Sequence, residues 1–238
     1  MARGVNLKVA IIPARGGSKR IPRKNIKAFC GKPMLAYAIE TAKASQLFDK
    51  IIVSTEDEEI AAVANKYGAE TPFVRPADLA DDFTNTNAVL IDAIEQLTAG
   101  GDRVASVCCI YATTPFLQAK YLQQGYEQLM RHNSSFAFSV TTFPFPVQRA
   151  IRITEEGLIE ALHPENNFVR SQDLEEVYHD AGQFYWGKVE AFLEERVFFS
   201  RESVPIILPR YLVQDIDTPE DWTRASYMYK AMQLQNNE

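Results

Sequence analysis

Short apolar runs alternate with longer amphipathic segments over the first 142 residues, and this alternation restricts the possible folds more than any other feature. Strands that alternate with helices form a mostly parallel sheet, and right-handed crossovers place the helices on both of its faces. We therefore expect a doubly wound α/β core over residues 1–142. The pattern predicts strands near residues 9–12, 50–54, 71–74, 104–111 and 136–141, and helices near residues 33–46, 58–67, 87–97 and 119–131.

The alternation stops after residue 142. Two short strands joined at Glu156-Gly157 predict an antiparallel hairpin, and we interpret residues 143–180 as an arm. The arm either forms a dimer contact or folds as a flap over its own domain. Residues 181–238 are predicted to return to the core, with strands near residues 184–186 and 206–208 and a helix over residues 219–233.

A basic block follows the first predicted strand. It lacks acidic residues, although the whole chain has a formal net charge of -6, so the positive charge is local. A strand, a glycine-containing loop and a helix can form a phosphate cradle, but neither the Walker nor the dinucleotide spacing is present. Arg15 and Lys24 could hold a triphosphate, and a solvated basic loop is the alternative. The block contains Arg15, Lys19, Arg20, Arg23, Lys24, Lys27 and Lys32.

The acidic remainder of the chain favours a small anionic ligand over nucleic acid, because nucleic-acid-binding proteins spread Lys and Arg across a face. A nucleic-acid-binding module is the alternative outside enzymes. Three cysteines, of which two are adjacent, fit neither a disulfide framework nor a metal-ligand spacing. The apolar run before Pro13 is too short for a signal peptide, and no stretch is long enough to span a membrane. We therefore expect a cytoplasmic protein.

Asp215 and Asp217 lie two residues apart. On an extended strand both carboxylates would project from the same face and could hold one hard divalent cation, for which Mg²⁺ is the natural choice. The following residues also predict a helix start, with Thr218 as N-cap, Pro219 at the first position and Asp221 closing a capping box. Asp217 would then only compensate the helix dipole, and both interpretations stay open.

Five segments of this chain occur together in one family of enzymes. The segments are AIIPARGGSKRIPRKN from Ala10 to Asn25, Gly31-Lys-Pro33, Ile52-Val-Ser-Thr55, Arg75-Pro-Ala-Asp-Leu79 and Asp215-Ile-Asp217. In this combination the chain resembles the CMP-nonulosonate synthetases, cytidylyltransferases that activate sialic-acid-like sugars. The resemblance covers nearly the whole chain. It implies CTP as donor, a nine-carbon 2-keto sugar acid as acceptor, pyrophosphate as leaving group, Mg²⁺ as cofactor and a homodimer.

The resemblance also assigns roles by position. Arg15, Lys24 and Asp217 would carry catalysis, and Asp215 and Asp217 would hold the metal. The residues assigned to CTP are Ala14, Arg15, Gly16, Ser18 and Lys24 on the phosphate side and Asn25, Arg75 and Thr86 on the nucleoside side. The residues assigned to the sugar are Tyr111, Thr113, Arg170, His179, Gln183 and Tyr185.

Two segments depart from the sialic-acid enzymes. Tyr111-Ala-Thr-Thr-Pro-Phe-Leu117 replaces a Gln-Pro-Thr-Ser-Pro-Leu-Arg motif, and the segment from His179 to Trp186 replaces Arg-Pro-Asn-Gly-Ala-Ile-Tyr. Aromatic gain and polar loss suit a sugar with less polar substituents, and both segments resemble the pseudaminic acid branch. N-acetylneuraminic and legionaminic acids are the alternatives. Arg170 would reach a neighbouring active site, and His179 would contact the sugar carboxylate or hydrogen-bond within the arm.

Overall fold

A six-stranded sheet organises the computed structural model, which describes residues 6–235. The strands in this part of the chain are β1 (Leu7–Pro13), β2 (Ala28–Phe29), β3 (Lys32–Pro33), β4 (Lys50–Ser54), β5 (Val104–Ile110), β6 (Phe136–Thr142), β7 (Ile151–Ile153), β8 (Ile159–Ala161), β9 (Tyr178–Lys188) and β10 (Ser203–Ile207). The helices are α1 (Met34–Ser45), α2 (Glu58–Tyr67), α3 (Thr86–Ala99), α4 (Ala119–His132), α5 (Val189–Leu193) and α6 (Pro219–Gln235).

The sheet order is β10-β6-β9-β5-β1-β4. Strand β1 pairs in parallel with both β4 and β5, β6 pairs in parallel with β10, and β9 runs antiparallel between β5 and β6. The predicted mostly parallel α/β sheet is therefore confirmed. Because β1, β4 and β5 run in the same direction, the loops that follow them meet at one edge, where open α/β sheets bind their ligands.

Alternate residues of the strands bury themselves on opposite faces of the sheet. Val9 and Ile11 pack into one apolar cluster with α3 and α5, whereas Ala10 and Ile12 pack into another with α1, α2 and α4. Both clusters contain fully buried side chains, so helices cover both faces as predicted. Cys108 and Cys109 are completely buried within β5 and face opposite clusters, which assigns both thiols to packing.

The predicted strand at residues 71–74 is wrong. Only Glu70 forms a bridge, to Ile52, and the chain then leaves the sheet. Pro72 has no N–H to donate to a ladder, which explains the early end. The strand predicted at residues 184–186 is longer than expected, because β9 begins at Tyr178. The first half of β9 contains Gly182 at φ +60°, opposite an irregularity in its pairing with β6. A glycine in this position breaks the strand pattern in the sequence, so the prediction began too late.

The hairpin predicted in the arm is confirmed. Strands β7 and β8 pair antiparallel, and Gly157 adopts φ +78° in the connecting turn, a conformation that glycine accepts without strain. Its apolar side chains are largely exposed, including Ile153 at 75% and Ile159 at 72%. Within residues 6–235, the helices are all too short or too polar to cross a bilayer.

Candidate active site

A cleft of about 260 Å³ opens where β1 and β5 end. It brings together side chains from three separate parts of the sequence, which the parallel sheet places side by side. Most of the residues predicted to bind CTP lie here, together with two from the predicted sugar side. Those predicted residues are Arg15, Ser18, Lys24, Asn25, Arg75, Thr86, Tyr111 and Thr113.

The loop after β1 is fixed to the end of β4 by its backbone. The Ala14 N–H donates to the Ser54 carbonyl at 3.0 Å, and the Gly16 N–H donates to Glu56 Oε1 at 2.7 Å. A Cβ on Gly16 would lie 2.5 Å from Asp57 Oδ2, so no other residue fits without moving that carboxylate. Ala14 and Gly16 therefore shape the loop that presents Arg15 to the cleft.

The two ends of the sequence meet beside this cleft. Lys24 Nζ lies 3.0 Å from Asp217 Oδ1 and also donates to the Ile216 carbonyl at 2.8 Å. Arg20 Nη2 donates to the other carboxylate oxygen of Asp217 at 2.6 Å. The basic block and Asp217, which were predicted from separate motifs, therefore form a cluster of ion pairs beside the cleft, although neither Asp215 nor Asp217 lines it.

Three polar cleft residues were missed in the sequence: Asp81, Asp82 and Thr84. Arg15 Nη1 lies 2.6 Å from Asp82 Oδ1, and Lys19 also pairs with Asp82. Hydrogen bonds from Lys19 and then Arg15 lower the pKa of Asp82. The available signal was their position, since the two acids follow directly on Arg75-Pro-Ala-Asp-Leu79.

Arg75 forms a buried wall of the cleft. Only 4% of the residue is exposed, and its guanidinium donates from Nε to Ser54 Oγ at 3.1 Å and from Nη2 to the Ser54 carbonyl. Burial lowers its pKa, and nearby Glu56 partly offsets this effect. A guanidinium held rigidly in this way offers directed donors to a nucleotide without losing side-chain entropy on binding.

Asp215 and Asp217 precede α6 in a segment that pairs with no strand of residues 6–235, and their projection from one common face stays a prediction. Partial desolvation, followed by the charge of Asp217, raises the pKa of Asp215, although the residue is exposed at the surface. Among residues 6–235 no cluster of three or more His, Cys, Asp and Glu could hold a metal. Two carboxylates nevertheless suit Mg²⁺, which keeps waters and takes phosphate oxygens as its remaining ligands.

The predicted helix start is confirmed beside this pair. Asp221 Oδ2 accepts from the Thr218 N–H at 2.8 Å, and Thr218 Oγ1 accepts from the Asp221 N–H at 3.2 Å. Asp221 therefore caps α6, and its pKa is lowered by the hydrogen bonds from Thr218. Asp217 differs, because Lys24 and Arg20 occupy its oxygens and the cap does not need it.

We expect Asp215→Asn to raise the melting temperature of the ligand-free protein only slightly at pH 7, because Asp215 is an exposed residue and solvent screens its charge. The raised pKa of Asp215 means that its ionised form is less stable in the folded chain than in the unfolded chain. The wild-type chain is therefore most stable relative to the variant at low pH, and it loses this stability as the pH rises through the raised pKa. The gain should shrink as the pH falls toward the ordinary aspartate pKa of 3.8. Thermal unfolding at pH 7 and near pH 3.8 tests this, with the exposed Glu220→Gln variant as control. A difference in melting temperature between Asp215→Asn and wild type that does not change with pH contradicts it.

A second, more apolar cavity adjoins the cleft and shares Thr86 and Tyr111 with it. Tyr111 and Tyr185 lie in aromatic contact at 5.5 Å between ring centroids, and the Tyr185 hydroxyl donates to Asp180 Oδ2 at 2.5 Å. Phe198 and Phe199 also line this cavity. Asp180, Phe198 and Phe199 were not predicted; for the two phenylalanines no pattern in the sequence separates them from core residues.

Three residues predicted on the sugar side do not line either cavity of this chain. Arg170 pairs with Asp173 at 2.6 Å on the exposed arm. His179 contacts the Phe143 ring, and its Nδ1 lies 2.8 Å from the Asp180 carbonyl. Gln183 is 3% exposed and donates to the Leu212 carbonyl. The hydrogen bond of His179 is local, as one of its two interpretations predicted, and the sugar contacts of all three stay predictions.

Comparisons with known proteins agree with this geometry. A family model described as Cytidylyltransferase matches residues 9–235. Pseudaminic acid cytidylyltransferase of Campylobacter jejuni is 48% identical over 222 residues, which is 93% of this chain and 96% of that protein. CMP-N,N'-diacetyllegionaminic acid synthase of Legionella pneumophila is 30% identical, covering 90% of this chain and 92% of that protein.

A solved structure supports the fold. CMP:2-keto-3-deoxy-manno-octonic acid synthetase complexed with CTP matches with a TM-score of 0.70 at 13% identity, covering 95% of this chain and 100% of that one. At this identity the match concerns the architecture alone. The doubly wound sheet is therefore an architecture that this chain shares with a solved synthetase.

Proposed function

The chain belongs to the cytidylyltransferase family, and we propose that it transfers CMP from CTP to pseudaminic acid with release of pyrophosphate. It is a CTP-dependent nucleotidyltransferase. The observation that carries the proposal is the meeting of Lys24 with Asp217 beside a cleft that also contains Arg15 and buried Arg75. Such a site can bind a polyphosphate and offset charge where it develops during transfer.

In the proposed reaction the anomeric hydroxyl of the sugar attacks the α-phosphorus of CTP. A bond forms between the sugar oxygen and the α-phosphorus, the bond from the α-phosphorus to the bridging oxygen breaks, and the hydroxyl proton passes to solvent. Pyrophosphate carries away the bonding electron pair. Arg15 and Lys24 offset its growing charge, and Ser18 and the loop backbone orient the phosphates.

Asp215 and Asp217 are proposed to hold Mg²⁺, which would supply Lewis-acid stabilisation of the phosphate oxygens. The position of two carboxylates two residues apart beside the cleft supports this assignment, because hard divalent cations take carboxylate oxygens as ligands. The salt bridge of Lys24 with Asp217 keeps part of this charge balanced in the free protein.

The choice of sugar is supported by two observations. Identity to pseudaminic acid cytidylyltransferase is 48%, whereas identity to the legionaminic acid synthase is 30%. The cavity around Tyr111, Tyr185 and Phe198 is mainly apolar, with the Asp180 carboxylate as a polar group. An acceptor that carries methyl and acetamido groups fits such a surface better than one that carries hydroxyls, whose desolvation without partners costs about 1–3 kcal/mol each.

The test is pyrophosphate release with CTP across pseudaminic, legionaminic and N-acetylneuraminic acids, with ATP, GTP and UTP as nucleotide controls. The proposal expects the highest kcat/KM with CTP and pseudaminic acid. Faster turnover of either other sugar would reassign the acceptor. Release that does not depend on any sugar, or none with CTP, would overturn the transfer reaction itself.

We further propose that the enzyme is a cytoplasmic homodimer. The exposed apolar side chains of the β7–β8 hairpin support a partner contact, because burying them on a second copy removes apolar area from water. The three free cysteines agree with a reducing compartment. Sedimentation should give a dimer that Ile153→Glu converts to monomer, with exposed Glu155→Gln as control; a monomeric wild type would contradict this assembly.

A further inference from the structure

Arg23 belongs to the basic block but does not line the cleft. Its guanidinium binds the Asp57 carboxylate through two nitrogens, with Nη2 3.0 Å from Oδ1 and Nη1 in contact with Oδ2. Nη2 also donates to Glu59 Oε2 at 2.5 Å. This fork is directional and specific to arginine. The charge of Arg23 is therefore committed to the β4–α2 connection and not to a ligand.

The backbone of Arg23 has an uncommon conformation. Its φ of +56° lies in the left-handed region, which a residue with a Cβ adopts only where the surroundings hold it there. Its carbonyl accepts from the N–H groups of Ile26 at 3.0 Å and Lys27 at 2.9 Å. These bonds close a turn around Lys24 and Asn25, the two residues that the loop sends into the cleft.

Asp57 receives the fork in a fixed position. Its Oδ1 accepts from the Ile60 N–H at 3.0 Å as the N-cap of α2, and its own N–H donates to Thr55 Oγ1 at 3.1 Å. The hydrogen bond from Arg23 lowers the pKa of Asp57 to about 2, so the carboxylate stays charged in any ordinary assay. Its Oδ2 also lies against Gly16 at the other end of the loop.

From these contacts we propose that the Arg23–Asp57 pair is a positioning device that sets Lys24 and Arg15 at the separation the CTP phosphates require. The pair ties the Lys24 end of the loop to the start of α2, where Gly16 at the other end packs against Asp57 and bonds to Glu56 through its N–H, so that Lys24 reaches Asp217 while Arg15 lines the cleft. This inference rests on the proposed CTP-dependent transfer. Arg23 is a positioning residue and does not contact the reacting atoms.

The test compares Arg23→Ala, Asp57→Asn and the double variant in steady-state kinetics and in CTP binding by calorimetry. Asn remains a good N-cap, so Asp57→Asn removes the charge partner while α2 stays capped. Each single variant is expected to lower kcat/KM for CTP about 10- to 100-fold, as displacement of a binding group by about 1 Å does. KM for the sugar should change little, and Arg23→Lys should recover only part of the loss.

The double variant separates a joint role from two separate ones. If the pair acts as one device, the double variant loses no more activity than the worse of the two single variants. If the two residues act independently, the losses of the single variants multiply. Glu59→Gln is the matched control, because it removes the exposed partner of Arg23 and leaves the fork to Asp57 intact. Multiplied losses, or an Arg23→Ala protein with wild-type CTP kinetics, would overturn the inference. Wild-type protein that turns over no sugar with CTP would instead refute the proposed function.

Discussion

Asp217→Asn is expected to lower kcat at least a hundredfold. This is the largest effect expected of any single substitution, and its size is typical of losing one electrostatic contact to a transition state. The variant removes the charge that Lys24 and Arg20 share, and it removes one of two carboxylates proposed to hold Mg²⁺. The measurement is pyrophosphate release at saturating CTP, sugar and Mg²⁺, with circular dichroism to establish that the fold persists.

Glu220→Gln is the matched control for this substitution. It removes one negative charge three residues away, at an exposed position on the first turn of α6. We expect its turnover to equal that of the wild type. An Asp217→Asn protein with wild-type kcat in saturating Mg²⁺ would remove both the metal role and the charge-balancing role of this carboxylate.

Arg15→Ala is expected to lower kcat/KM for CTP about a hundredfold, because a charge-assisted donor to the departing phosphates is lost. Arg15→Lys should recover little, since a single ammonium cannot replace a planar fork. Initial rates at varied CTP measure both effects.

Lys19→Ala provides the comparison for Arg15, because Lys19 pairs with the same Asp82 but its side chain is 80% exposed and does not line the cleft. We expect less than a threefold change, as is typical for an exposed ion pair worth under about 1 kcal/mol. Equal losses in the Arg15 and Lys19 variants would indicate a diffuse electrostatic effect in place of a directed phosphate contact.

The sequence predicted the core of the fold because burial imposes a period on it. Strand β5 is apolar except for Ser106, and α4 carries its apolar residues on one face, so both were found within one residue of their ends. The strand at residues 71–74 was mispredicted because the two apolar residues after Pro72 resemble a strand in the sequence, whereas their backbone pairs with no strand of the sheet. Strand β9 was predicted too short because its first half contains polar residues and a glycine with positive φ.

The residues proposed to bind the phosphates could be identified in the sequence because they lie in continuous motifs. Lys24 and Asp217 are 193 residues apart, and each was identified from its own neighbours before the fold joined them. The acidic side of the cleft was missed because Asp82 follows a motif without belonging to it, so that only its position in the sequence pointed to the site. Arg23 was counted with the other basic residues, and only its left-handed backbone and its fork to Asp57 distinguish its role.

The central claim is that cationic and metal-binding side chains from opposite ends of the chain hold one polyphosphate. A crystal structure of the wild-type enzyme with CTP and Mg²⁺ tests it most directly. We predict triphosphate oxygens within hydrogen-bonding distance of Arg15 and Lys24, and a cation bound by Asp215 and Asp217 that also contacts those oxygens. A triphosphate bound outside this cleft, or a cation that shares no phosphate oxygen with the nucleotide, would contradict the account.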